Sequence, residues 1–342
     1  MIRVFIVDDS AFVRRALTRV LAGQSGFRVV GEAESGAEAL AKVPAADPDF
    51  VTLDVAMPGM DGLQVLPALL RWKPSLRVVM LSAHTHDGAA ATVTALAAGA
   101  VDFIDKSAFN VMDLELMRRE VVDRLAALAP SARAERANGA QRSTPVDHAA
   151  LADLRGCELC VIGASTGGPP AIQRILERLP ARFPLPIVVV QHMPPGFTQA
   201  FARRLDALSR VRVSEAVEGQ RLAPGRVVVA PGGRHLRVSP GLAVLLTPEP
   251  ATARHIPSVD VTMRSAARSR PGRVLGVLLT GMGEDGAEGM ATIRAGGGFT
   301  IAESEASCVV YGMPRAAVRR GGASLVMPLE EIAGLLAALD GA

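Results

Sequence analysis

The chain has 342 residues, which predicts about two domains, and with 49% hydrophobic and 21% charged residues it is not a disordered protein. Basic residues number 37 and acidic residues 34, so the formal charge of +3 singles out no partner. Ten Phe, one Trp and one Tyr make stacking of single-stranded nucleic acid a poor expectation. No run of 18 apolar residues is present, which predicts no membrane span and no insertion. The opening MIRVFIVDD lacks the basic start, apolar stretch and cleavage site of a secretory signal. Cys157, Cys160 and Cys308 suit a reduced, cytoplasmic protein.

Short β-rich runs alternate with helical patterns through the first 120 or so residues. Strands are predicted at Arg3–Val7, Arg28–Gly31, Phe50–Leu53, Arg77–Leu81 and Val101–Ile104, with amphipathic helices at Ala11–Leu21 and Gly88–Ala97. That alternation implies a five-stranded, doubly wound parallel sheet. From about Ala126 to Ala149 large apolar residues nearly vanish, and Ala, Arg, Ser and Pro take over. The expected organisation is a first domain at 1–122, a linker at 123–155 and a second domain at 156–342. A second α/β alternation follows, with strands predicted at Glu158–Ile162, Ile187–Gln191, Arg226–Ala230, Val274–Leu279 and Ser324–Met327. Between Val211 and Leu246 shorter β pieces separated by PGR, PGG and SPG predict an antiparallel addition to a mostly parallel sheet.

Asp8 and Asp9 follow the first strand and Asp54 ends the third, so three carboxylates gather at one sheet edge. Such crowding favours neutralisation by a hard cation such as Mg²⁺. Ser82 ends the fourth strand and Lys106 the fifth, adding a hydroxyl and an ammonium. Lys106 is one of only three lysines, with Lys42 and Lys73, in a chain that otherwise uses arginine. A compact cation at that edge suits phosphoryl transfer to Asp54. VDDS, LDVAMPGMDG, the SA after VVML, and DFIDK together resemble the response-regulator receiver family over about residues 1–125. The resemblance implies aspartyl phosphorylation of Asp54 by a sensor histidine kinase. It implies Mg²⁺ held by Asp9, Asp54 and the Ala56 carbonyl with help from Asp8, and a switch pair of Ser82 and Phe103. The sequence departs at Ser107, where the family usually has proline.

In the second half, Gly163-Ala164-Ser165-Thr166-Gly167 fits G-x-S-x-G at a strand-to-helix turn, which exposes the Ser165 hydroxyl. His192 and Asp285 follow two other strands on the same edge, giving a nucleophile, a base and an orienting acid. The glycines around Met282 make its N–H a candidate oxyanion donor. His255 and His235 are rival bases and Asp260 a rival acid. The chain order Ser, His, Asp differs from that of α/β-hydrolases. GASTGGP, QHMPPGFT, APGGRHL, PSVDVTM and TGMGEDGAEGM resemble the chemotaxis protein-glutamate methylesterases, and the receiver–linker–esterase order matches nearly end to end. The resemblance implies hydrolysis of γ-methyl glutamyl esters of methyl-accepting chemoreceptors with release of methanol, and deamidation of receptor glutamines. The triad would be Ser165, His192 and Asp285, with Met282 as oxyanion donor and Thr166 beside the nucleophile, and no cofactor for the esterase. Ile256 stands where the family often has arginine, with Arg254 and Arg264 nearby.

Cys157 and Cys160 form C-x-x-C without a second pair, so packing is the expected role, and His84 and His86 are expected in a solvated loop. The reading that follows is a serine esterase whose unphosphorylated receiver covers the catalytic edge until Asp54 is phosphorylated. The alternative is a receiver with a non-catalytic output that binds a partner or nucleotide at the glycine-rich turn. Nucleic acid is not an expected partner, because no helix-turn-helix with a basic face is present and the last helix, LEEIAGLLAALD, is acidic.

Overall fold

The computed structural model describes residues 1–83, 85–106, 109, 114–129 and 154–340, and it divides into two compact units, Met1–Ala129 and Pro130–Ala342. The first unit alternates β1 (Ile2–Val7), α1 (Ala11–Ala22), β2 (Phe27–Ala33), α2 (Gly36–Ala46), β3 (Phe50–Asp54), α3 (Gly62–Trp72), β4 (Arg77–Ser82), α4 (His86–Ala97) and β5 (Asp102–Asp105). The strands lie in the order β2-β1-β3-β4-β5, and all neighbours are parallel. Side-chain oxygens start the helices: Ser10 caps α1, Ser35 caps α2 and Thr85 caps α4, while Asp61 and Gln64 form a reciprocal capping box on α3. Helical structure continues through α5 (Leu114–Arg118), a π-helical turn (Arg119–Asp123) and α6 (Arg124–Leu128), with Leu125 and Leu128 buried. It thus passes residue 122, where the first domain was expected to end. Most of the expected linker lies outside the described residues, as do His84 and Ser107.

The second unit has β6 (Leu159–Ala164), α7 (Gly168–Arg178), β7 (Ile187–Gln191), α8 (Phe197–Leu208), β8 (Arg212–Glu215), β9 (Arg226–Val229), β10 (His235–Val238) and β11 (Val244–Thr247). It continues with α9 (Val259–Ser269), β12 (Val274–Leu278), α10 (Ala287–Ala295), β13 (Phe299–Glu303), α11 (Met313–Arg319), β14 (Leu325–Met327) and α12 (Leu329–Ala337). Seven strands form a parallel sheet in the order β14-β13-β12-β6-β7-β9-β8, and β10 and β11 form a separate antiparallel pair. The antiparallel addition expected over residues 211–246 is therefore split. Residues 216–225 are long enough to return the chain so that β9 runs parallel to β8, whereas the tight turn closed by Leu242 N–H on the Ser239 carbonyl reverses β10 into β11. β13 was not among the expected strands.

Strands β6, β7 and β12 are mostly aliphatic and are buried at every position, as befits a sheet covered on both faces. From β6 the chain first builds outward through β7, then returns to the other side of β6 with β12. That reversal places a crevice beyond the carboxyl ends of the three central strands. Ile162, fully buried in β6, lies beneath that crevice. Ile162→Ala is expected to lower stability by about 2–5 kcal/mol in chemical denaturation. A loss below about 1 kcal/mol would show that the centre of the sheet repacks freely.

Candidate functional site

In the first unit the carboxyl ends of β1, β3, β4 and β5 bring Asp8, Asp9, Asp54, Ser82 and Lys106 together. Lys106 Nζ lies 2.6 Å from Asp54 Oδ2 and 2.8 Å from Asp8 Oδ2. Asp8 and Asp54 are buried and Asp9 is exposed, and one carboxylate oxygen from each lies within 4.8 Å of the others. The Ala56 N–H donates to Asp54 Oδ1 at 3.3 Å, and the Ser10 N–H to Asp8 Oδ1 at 3.0 Å. Burial pushes the Asp54 carboxyl up to about 6 against the pull of Lys106, and it raises Asp8 as well. One ammonium shared by two buried acids leaves anionic charge in excess. Hard oxygen donors with one exposed member fit a divalent cation such as Mg²⁺. The Ser82 hydroxyl donates to the Gly88 carbonyl at 3.2 Å in α4, and Phe103 is buried.

In the second unit Ser165 follows β6, His192 follows β7 and Asp285 lies beyond β12. Gly167, at φ +77°, makes the sharp turn from Ser165 into α7. The Ser165 N–H donates to the Thr280 carbonyl at 3.0 Å, and the His192 N–H donates to the Ala164 carbonyl at 3.2 Å. Asp285 Oδ2 lies 2.8 Å from His192 Nε2. Asp285 also accepts from the Ser258 hydroxyl at 2.8 Å, the Val259 N–H at 2.7 Å and the Asp260 N–H at 3.0 Å. Those amides open α9, so the carboxylate sits at a helix N-terminus. Burial alone would raise its pKa, but His192 and the two amides outweigh burial and hold Asp285 well below the usual carboxylate range. An ionised Asp285 only accepts, so His192 Nε2 carries the proton and Nδ1 is the basic nitrogen. Nδ1 is buried and has no hydrogen-bond partner among the described residues, Ser165 included. The Met282 N–H has no acceptor among the described residues. Thr166 is buried, and its carbonyl accepts from the Thr280 hydroxyl at 3.0 Å.

Residues 160–336 match the CheB methylesterase family and residues 4–117 the response regulator receiver domain family. The chain belongs to the CheB methylesterase family. A curated relative from Symbiobacterium thermophilum, named protein-glutamate methylesterase/protein-glutamine glutaminase, is 45% identical over 97% of this chain and 95% of its own. One of the same name from Archaeoglobus fulgidus is 44% identical over 97% of this chain and 96% of its own. The crystal structure of the Thermotoga maritima CheB methylesterase catalytic domain is 41% identical. It covers 54% of this chain and 98% of that domain, with a TM-score of 0.52. These likenesses oppose the alternative of a non-catalytic output.

The other candidate acid and bases of the second unit are placed as follows. Asp260 accepts from the Gly289 N–H at 2.6 Å, and burial pushes its carboxyl up to about 6. His255 stacks on His192, with centroids 4.1 Å apart and planes within 16°. His235 is fully buried in β10, its Nδ1 accepting from the Ser258 N–H at 3.1 Å and its Nε2 3.2 Å from the Pro250 carbonyl. Arg264 pairs with Glu288 at 2.9 Å, Arg254 is exposed, and the Ile256 carbonyl accepts from Gly233. Burial pushes the Cys160 thiol far above its ordinary pKa, so it is no thiolate, and Cys157 is buried beside it. His86 begins α4. No described helix is long and apolar enough to cross a membrane.

Three supporting residues escaped the sequence reading. Gln191 donates through Nε2 to the Ser165 carbonyl at 2.9 Å. Ser258 both caps α9 and holds Asp285. Glu303, fully buried at the end of β13, accepts from the Thr280 N–H at 2.8 Å and the Ser307 hydroxyl at 2.9 Å. The signal for Glu303 was present, because FTIAE after three glycines is a β run ending in a carboxylate.

Two outcomes are expected. A methyl group on Gly281 would meet Met313 Sδ at 2.3 Å and Ser165 Cβ at 2.8 Å. Gly281→Ala should therefore cut ester hydrolysis about tenfold or more by displacing Ser165. Unchanged turnover would mean the loop yields without moving Ser165. As pH falls through about 6, Asp54 gains a proton and loses its charge. Mg²⁺ binding, measured by calorimetry, should weaken between pH 7 and 5, by about tenfold per pH unit below 6. A flat profile would exclude Asp54 from the cation site.

Proposed function

We propose that the protein is a phosphorylation-controlled serine hydrolase that removes γ-methyl esters from glutamates of methyl-accepting chemoreceptors and deamidates receptor glutamines. The observation that carries the reading is the hydrogen-bonded His192–Asp285 pair beside Ser165, at the ends of three adjacent strands. Ser165 Oγ attacks the ester carbonyl while His192 Nδ1 takes its proton. Asp285 stabilises the resulting imidazolium through Nε2–H. The Met282 N–H, with Thr166 beside the nucleophile, meets the oxyanion. Collapse expels methanol, which receives the proton from His192 and leaves a glutamyl ester on Ser165. Water, deprotonated by His192, then attacks the acyl carbon, the bond to Ser165 Oγ breaks, Oγ regains the proton from His192, and glutamate is released. With a glutamine substrate the leaving group is ammonia and the second half is the same. The supporting physics is pre-organisation: the buried Nδ1 has no competing donor, and Asp285 is fixed by four hydrogen bonds.

The proposal for the receiver is phosphorylation of Asp54 by a sensor histidine kinase, a role that fits a cytoplasmic chain. Asp9, Asp54 and the Ala56 carbonyl would hold Mg²⁺ with Asp8 assisting. The ion would supply positive charge to the transferring oxygens. Lys106 already lies against Asp54 and adds a second cation. To meet a phosphoryl group, the Ser82 hydroxyl would leave the Gly88 and Ala83 carbonyls, which would loosen the start of α4, with buried Phe103 as its switch partner. That rearrangement would relieve the inhibition of the esterase.

Ser165→Ala should lower methanol release from methylated chemoreceptor by about 10⁴-fold or more. Substantial residual turnover would remove Ser165 from the nucleophile's role. Asp54→Ala should take up no phosphoryl group from a small phosphodonor, and its esterase rate should no longer respond to that donor. Stoichiometric labelling of the variant, or equal stimulation of variant and wild type, would overturn the regulatory half.

A further inference from the structure

We infer that His235 is a positioning residue of the esterase, fixing Asp285 through Ser258; the inference rests on the reading of Asp285 as the acid that orients His192. His235 cannot itself be a base for the reaction. It is fully buried, and both ring nitrogens are engaged. The Pro250 carbonyl can only accept and the Ser258 N–H can only donate. Nε2 therefore carries the proton, and Nδ1 is an acceptor held in the neutral ring. Burial favours that state, because it lowers the imidazole's pKa.

The bond to Ser258 reaches the catalytic acid in one step. Ser258 is the residue whose hydroxyl donates to Asp285 Oδ1 at 2.8 Å and accepts from the Val261 N–H at 3.3 Å. Its own N–H would be an orphan of the helix start without an acceptor, and His235 Nδ1 supplies one at 3.1 Å. The Ser258 backbone is thereby pinned where its hydroxyl faces Asp285, and the next two amides, Val259 and Asp260, are aimed at the same carboxylate. The strand that carries His235 is itself tied to α9, by Thr262 Oγ1 on the Leu236 carbonyl at 2.7 Å and the Val238 N–H on Ser265 Oγ at 3.0 Å. The antiparallel pair β10–β11 thus serves the active site by locating the N-terminus of α9.

The two nitrogens can be tested apart. In His235→Asn the amide oxygen falls near the position of Nδ1 and keeps an acceptor for Ser258. In His235→Gln the amide nitrogen falls near Nε2 and keeps only the donor to Pro250. The full chain, treated with a small phosphodonor, is assayed for methanol release from methylated chemoreceptor, and thermal unfolding is recorded for each variant. The expected result is a kcat at least about tenfold lower for His235→Gln with KM within about twofold. His235→Asn should recover most of the kcat. Equal loss of activity and of melting temperature in both variants would mark His235 as a packing residue and overturn the inference, as would wild-type kcat in both. Asp285→Asn in the same assay separates the underlying reading. If it keeps full activity, the assignment of Asp285 fails; if it loses activity while His235→Gln does not, only the inference about His235 fails.

Discussion

The charge of Asp285 organises the second unit. An ionised carboxylate taken out of water is costly unless hydrogen bonds replace its hydration. Here the replacement comes from a helix N-terminus: the Ser258 hydroxyl and the amides of Val259 and Asp260 converge on it, and His192 supplies the fourth bond. Each such bond to a charged group contributes roughly 1.5–3 kcal/mol, and the helix dipole adds roughly 0.3–2 kcal/mol. Much of the local architecture follows from that need. α9 must begin beside the carboxyl end of β12, and the loop beyond β12 must turn back toward it. His192 then meets a base partner whose position is set before any substrate arrives, which is the condition under which electrostatic stabilisation costs no reorganisation in the reaction.

The first unit treats its buried acids in the opposite way. Asp54 has one backbone N–H and a share of Lys106, while Asp8 competes for the same ammonium. Burial therefore wins, and both carboxyls titrate above their ordinary range, whereas Asp285 titrates below it. The contrast suits the roles proposed for the two acids. An acid that orients a base should be ionised under all working conditions. A carboxylate that is to gather a cation and then accept a phosphoryl group gains from standing under-neutralised, because incoming positive charge is favoured at once. Lys106, a point charge in a chain that otherwise prefers arginine, can touch both acids without the fixed fork of a guanidinium.

Most of the candidate site residues were legible in the sequence because β1, β3, β4 and β7 each run into a polar residue at or just past the close, and parallel strands send those closes to one edge. That argument puts Asp8, Asp54, Ser82, Lys106, Ser165 and His192 at the carboxyl edges of their sheets, whereas Asp285 lies beyond β12 and reaches His192 through its loop. It did not reveal how the edge is supported. Gln191 reads as the last residue of a strand, and only the tertiary structure puts its amide on the Ser165 carbonyl. Ser258 reads as an N-cap, and nothing in a cap signal says which carboxylate its hydroxyl will face. The antiparallel addition expected between residues 211 and 246 is the β10–β11 pair, while β8 in the same stretch joins the parallel sheet, because turn dipeptides mark where a chain bends and not where the next strand pairs. β13 was overlooked, and with it Glu303.

Glu303 shows what such a supporting residue does. Thr280 is the knot of the nucleophile's surroundings: its carbonyl accepts the Ser165 N–H and its hydroxyl donates to the Thr166 carbonyl. Its own N–H is left pointing into the sheet, and Glu303 receives it. Without that acceptor, a buried amide next to the oxyanion loop would be unsatisfied, at a cost of roughly 1–3 kcal/mol, and the loop through Gly281 to Met282 could relax away from Ser165 to seek a partner. Ser165, His192 and Met282, the proposed nucleophile, base and oxyanion donor, come from loops after three different strands. Buried polar groups on a fourth strand, β13, and at the start of α9 hold the loop after β12, through the Thr280 N–H on Glu303 and the bonds of Ser258 and Val259 to Asp285.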